Sequence, residues 1–147
     1  MQASPKTKVV LVGLGRMGKN HLRVLRETPG YELVAVVDAK AAAPADLGKI
    51  PLLRSVADLS SIDFEAAVIA TPTATHHDVA LELIAMGKHL LVEKPISSTY
   101  ALGAEVLAAA HAKNVKLAVG HVERFNPAVR KLREVIKQGA LGTPIHF

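Results

Sequence analysis

The chain has 147 residues, a formal net charge of +5, 50% hydrophobic and only 3% aromatic residues, and no cysteine. That length suits one domain with an aliphatic core, and the absence of cysteine excludes disulfides, thiolate metal sites and a cysteine nucleophile. No apolar run reaches the roughly 18 residues of a membrane span, the start MQASPKTK lacks the apolar segment of a signal peptide, and the basic residues are dispersed without interleaved aromatics, so neither a membrane nor a nucleic acid is expected as partner and the reducing cytoplasm is the expected compartment.

Residues 1–7 read as a disordered lead. KVVLVG (8–13) is then an unbroken apolar run, followed by a helical pattern over 16–27 with Gly18, Leu22 and Leu25 on one side. Further apolar runs are ELVAVVD (32–38), AAVIAT (66–71), HLLVE (89–93) and KLAVG (116–120), with a short additional strand near Ile50 to Leu53. Continuous rather than alternating apolarity implies strands covered on both faces, hence a parallel sheet. Helical patterns fill 75–86, 99–112 and 127–138, the last with Val129, Leu132 and Ile136 on one stripe, Pro127 at its start and Gly139 past its end. The Ala/Pro-rich segment 39–51 is the least defined. Strict alternation of strand and helix with right-handed crossovers predicts an α/β, Rossmann-type doubly wound sheet. The expected organisation is a dinucleotide-binding domain over 8–126, then a linking helix and the start of a truncated second domain over 127–147, where TPIHF begins like another strand.

Three stretches carry chemistry. Gly13-Leu-Gly15-Arg16-Met17-Gly18 fits G-x-G-x-x-G directly after a strand and at the opening of a helix. Gly13 serves the tight turn, Gly15 the approach of a pyrophosphate, and Gly18 close helix–strand packing, with the helix N-terminus facing the phosphates. Asp38 ends the second strand at the offset where a carboxylate binds both hydroxyls of an adenosine ribose, which favours NAD(H) over NADP(H). Lys40 is the one neighbour that speaks for a 2′-phosphate, and a capping role in the turn is the alternative for Asp38. In ATPTATHHDVA (70–80), Thr71, Pro72 and Thr73 fall at the carboxyl edge of the sheet, where ligands of open α/β sheets bind. His76 is a candidate for the cofactor with a polar helix-start role as the alternative, His77 reads as a polar helix-start residue, and the histidines show no metal-ligand spacing.

Glu93 and Lys94 interrupt the strand HLLV at the same carboxyl edge. There the lysine can donate to a sugar hydroxyl or carry a proton, and the glutamate can hold a ribose hydroxyl or orient the lysine. By position alone, an ordinary solvated ion pair at a strand end is an equal alternative.

GLGRMGKNH, ATPTATHHDVA, EKP and GHVERFNP, in that order, resemble the N-terminal domain of the Gfo/Idh/MocA oxidoreductase family over residues 8–147. The resemblance implies an NAD-dependent enzyme that oxidises a secondary alcohol of a sugar or nucleotide-sugar, with Lys94 beside the nicotinamide and the reacting carbinol and Glu93 on the nicotinamide ribose. His121, Arg124 and Asn126 would stand near the nicotinamide end or a domain cleft, with a structural ion pair as the alternative for Arg124. The wording of GHVERFNPAV resembles UDP-N-acetylglucosamine 3-dehydrogenases of that family. The resemblance also implies a second domain carrying an acid/base histidine for which His146 is too early, a homo-oligomeric full-length protein, and a 147-residue piece inactive alone. The rival within the fold is a non-catalytic NAD(P)-sensing regulator, which would have less need of Lys94. A methyltransferase using the glycine loop is disfavoured by the third glycine, the ribose acid and EKP.

Overall fold

The computed structural model describes residues 5–142. Six parallel strands form one sheet: β1 (Thr7–Val12), β2 (Tyr31–Val37), β3 (Leu52–Leu53), β4 (Ala66–Ile69), β5 (His89–Val92) and β6 (Leu117–Val119), in the order β3-β2-β1-β4-β5-β6. Among the described residues four α-helices accompany them: α1 (Arg16–Glu27), α2 (His76–Ala85), α3 (Tyr100–Ala112) and α4 (Pro127–Lys137). β1 starts one residue inside the segment expected to be a disordered lead. Residues 1–4 and the strand expected over 143–147 lie outside the described residues.

The unbroken apolar runs follow from double coverage. Successive β1 residues point to opposite faces, so Val9 and Leu11 join Leu22 and Leu25 of α1, while Val10 and Val12 join Leu83, Ile84 and Val106 of α2 and α3. Leu11 and Ile69 have no exposed surface, and each such side chain contributes about 1.5–3 kcal/mol of transfer free energy. Chain order reverses between β1, which continues through α1 to β2 on one side, and β4, which lies on its other side. At this reversal the loops after β1 and β4 diverge and leave a crevice at the carboxyl edge.

One expectation is corrected. Alternation predicted an α-helix between the second and third long strands, but the segment from β2 to β4 holds only the short β3 and two 3₁₀ turns, Ala45–Leu47 and Ala57–Ser61. Pro44 and Pro51 interrupt helical hydrogen bonding there, yet Leu47, Val56, Leu59 and Phe64 still reach the core. The stripe predicted for α4 is not covered: Val129 is 42% and Leu132 46% exposed, and α4 has no buried residue. Its start is as expected, with Pro127 in the first turn and the Asn126 side chain accepting from the Ala128 amide at 2.9 Å. Asn126 therefore acts as a helix cap.

Candidate functional site

Parallel strands deliver their next residues to one edge. Gly13 follows β1, Asp38 follows β2, Thr71 lies just beyond β4 and Glu93 follows β5. Together they border a groove of about 940 Å³.

The glycine loop closes the groove floor. Gly13 has φ +101°, and a Cβ there would stand 2.7 Å from the Ala70 carbonyl group. A Cβ on Gly18 would stand 1.9 Å from the Gly13 carbonyl oxygen, so α1 packs directly on the loop. Above Gly15 nothing lies within 4 Å of the corresponding position. Gly15 is also the N-cap of α1, which has no side-chain cap and no acidic residue in its first turn. First-turn amides without intrahelical acceptors, a positive dipole end and an open approach suit a pyrophosphate. Arg16 and Met17, on this first turn, line the groove, whereas Gly18 contributes through packing.

Asp38 is fixed by the backbone around it. One carboxylate oxygen accepts from the Leu14 amide at 2.7 Å, and the other from the Lys40 and Ala41 amides at 2.9 and 2.8 Å. Burial pushes this carboxyl up, but the Leu14, Lys40 and Ala41 amides and the Arg54 guanidinium outweigh it and hold the group below the usual carboxylate range. The turn-capping role and a ligand role coexist, because a carboxylate offers about four acceptor positions and three are filled. Arg54, which carries no motif in the sequence, donates from Nη1 to the carbonyl oxygens of Asp38 and Ala41 at 3.0 and 2.7 Å and lines the groove with Lys40. Its signal is weak: it sits sixteen residues from Asp38, after a two-residue strand.

Thr71, Pro72 and Thr73 border the same groove. His76 also touches it, but its ring is 1% exposed and both nitrogens face carbonyl oxygens, of Pro95 at 2.8 Å and Thr71 at 2.9 Å. His77 is engaged away from the groove. Asp78 and Glu105 of α3 flank its ring at 2.7 and 2.9 Å, and their hydrogen bonds raise its proton affinity above the usual 6.5.

At the far end, Glu93 is 6% exposed. One oxygen meets His21 Nε2 of α1 at 2.8 Å, the other accepts from the Lys94 amide at 3.2 Å, and the carboxylate rests against Gly120, where a Cβ would come within 3.3 Å. The charges of the EKP stretch are thus not a Glu93–Lys94 ion pair. The partner of Glu93 is His21, 72 residues away and unsignalled in the sequence. Lys94 borders both the main groove and a second hollow of about 370 Å³ lined by His121, Glu123 and Arg124. His121 and Arg124 line only this hollow. Among the described residues no group of three or more His, Cys, Asp or Glu could hold a metal, and no helix is long and apolar enough to cross a membrane.

A family model described as "Oxidoreductase family, NAD-binding Rossmann fold" (GFO_IDH_MocA) matches residues 7–121. Inositol 2-dehydrogenase from Rhizobium meliloti (strain 1021) is 35% identical over 135 residues, covering 90% of this chain and 41% of that protein. The crystal structure of scyllo-inositol dehydrogenase from Lactobacillus casei with bound NAD(H) and scyllo-inositol superposes with a TM-score of 0.82 at 25% identity, covering 94% of this chain and 43% of the other. That of the WlbA dehydrogenase from Bordetella pertussis with NADH and UDP-GlcNAcA gives a TM-score of 0.85 at 30% identity, covering 94% and 44%. The chain spans roughly two fifths of the length of the curated relatives it matches, 41% to 44% for the first three.

Proposed function

This chain belongs to the Gfo/Idh/MocA oxidoreductase family as an NAD-binding Rossmann domain, and on that premise we propose that it is the cofactor half of a dehydrogenase that oxidises a secondary alcohol of a sugar or nucleotide-sugar. The observation that carries the proposal is the place of Lys94, on the border between the dinucleotide-sized groove and the hollow beside it.

Residues present in the groove fit the cofactor. The open space above Gly15 and the uncapped start of α1 receive the pyrophosphate. Asp38 keeps an acceptor position for the adenosine ribose hydroxyls, and Thr71, Pro72 and Thr73 border the same path. Glu93, buried and steadied by His21, takes the nicotinamide ribose end. When bound, NAD supplies the hydride acceptor. Lys94 then holds the substrate hydroxyl through its ammonium protons and, as the carbinol carbon gives up hydride, stabilises the developing alkoxide or relays its proton. The hollow with His121 and Arg124 receives part of the sugar.

In this reading a second domain completes the substrate side, and the 147-residue chain alone binds cofactor without turning over substrate. The scyllo-inositol and UDP-GlcNAcA seen in the two neighbouring structures define the substrate classes to test. The test is reduction of NAD, followed by absorbance, by the protein carrying its second domain against inositols, hexoses and UDP-sugars. Turnover of a polyol or sugar is the expected result. Reduction by none of them, with NAD binding intact, contradicts the substrate reading while leaving the family assignment untouched.

A further inference from the structure

His76 is a fully buried titratable side chain that the chemistry above does not use. It stands at the first residue of α2, and its ring bridges two segments distant in sequence. Nδ1 lies 2.8 Å from the carbonyl oxygen of Pro95 and Nε2 2.9 Å from that of Thr71. Carbonyl oxygens only accept, so every bond the ring makes here is one it donates: a ring with one proton serves one oxygen, and a ring with two serves both.

The consequence falls on Lys94. Its preceding residue is anchored twice, through the Glu93 amide to the Ile69 carbonyl at 2.9 Å and through the Glu93 carboxylate to His21. Its following residue is Pro95. Among the described residues, the hydrogen bond from His76 is the one that ties the 94–98 segment to the β4 side of the groove. Lys94 is therefore suspended between a sheet anchor and a histidine anchor, and the second is the same ring that faces Thr71. We propose that His76 is a positioning residue that sets the separation between the Thr71–Pro72–Thr73 loop and Lys94, and so places the lysine against the nicotinamide end of the groove. This rests on the reading of the groove as the NAD site.

The experiment uses the 147-residue chain with His76→Ala and His76→Gln, the second retaining an amide donor of similar reach. NADH and ADP-ribose, which lacks the nicotinamide, are titrated into each. The inference predicts that His76→Ala weakens NADH about tenfold, leaves ADP-ribose within about twofold, and that His76→Gln recovers part of the difference. An equal loss for both ligands, or none in a chain that still melts cooperatively, overturns it. Hydrogen exchange reads the clasp without any ligand: in His76→Ala, faster exchange is expected in 93–97 and 71–75 and little elsewhere. Unchanged exchange there overturns the inference even where NADH binds, whereas failure of the unaltered chain to bind NADH, with the exchange pattern as expected, contradicts the NAD-site reading instead.

Discussion

Replacing Gly18 with alanine is expected to destabilise the chain by about 4 kcal/mol or more, at the extreme end of single substitutions, and to abolish NADH binding. The added methyl would stand 1.9 Å from the Gly13 carbonyl oxygen and 2.7 Å from its carbonyl carbon. Both are backbone atoms, so no rotamer change relieves the overlap, and α1 must move away from the loop. The loop cannot yield in turn, because Gly13 at φ +101° is itself pressed against the backbone of Ala70 and Thr71. A domain of this size holds roughly 5–15 kcal/mol in total, so a fall in melting temperature of roughly 10 °C is expected. Gly15→Ala makes the contrast. Its φ of −63° suits any residue and nothing lies within 4 Å of the new methyl. That variant should melt within a few degrees of the unaltered chain and still bind NADH at least tenfold more weakly, because the methyl occupies the space the pyrophosphate needs. Gly18→Ala melting with the unaltered chain, or Gly15→Ala binding like it, would show that the loop does not work in this way.

The second large effect is on catalysis. In the dehydrogenase proposed above, Lys94→Ala is expected to lower kcat by about 10²–10⁴-fold, the range for loss of a positioned acid or base. NADH affinity of the 147-residue chain should fall by about tenfold, as in His76→Ala, and no further, because the pyrophosphate and adenosine-ribose contacts lie elsewhere along the groove. Lys94→Arg keeps the charge but should remain well below the original rate, since a guanidinium is broader, forked and unable to give up its proton. Steady-state kinetics with NAD and the best alcohol found in the screen checks both variants. A Lys94→Ala enzyme with kcat within tenfold of the original would remove Lys94 from the chemistry and leave the non-catalytic sensor as the better account.

Much of this was legible because the signals are local. The glycine loop, Asp38, the Thr71 loop and EKP each follow directly from a strand end, and a parallel sheet brings all strand ends to one edge whatever the loops between them do. What stayed hidden depends on distance or on an absence of pattern. His21 and Glu93 are 72 residues apart and meet because the fold brings α1 to the end of β5. His76 reads in the sequence as a cofactor candidate or a polar residue opening a helix, and its contact with Pro95, nineteen residues later, carries no signal there. Arg54 follows a strand of two residues, too short for periodicity to announce. The missing crossover helix was over-read from regular alternation, and the exposed stripe of α4 shows that pattern records which face is apolar without recording what covers it.

The central claim is that this chain binds NAD in the groove between the glycine loop, Asp38 and Lys94, and calorimetric titration with NADH and NADPH, with Asp38→Ala alongside, tests it most directly. A one-to-one complex with NADH is expected, with weaker binding of NADPH and a loss of at least tenfold in NADH affinity in Asp38→Ala. Binding of neither dinucleotide by a folded chain would contradict it. Tighter binding of NADPH would show instead that Lys40 and Arg54, and not Asp38, govern the ribose end.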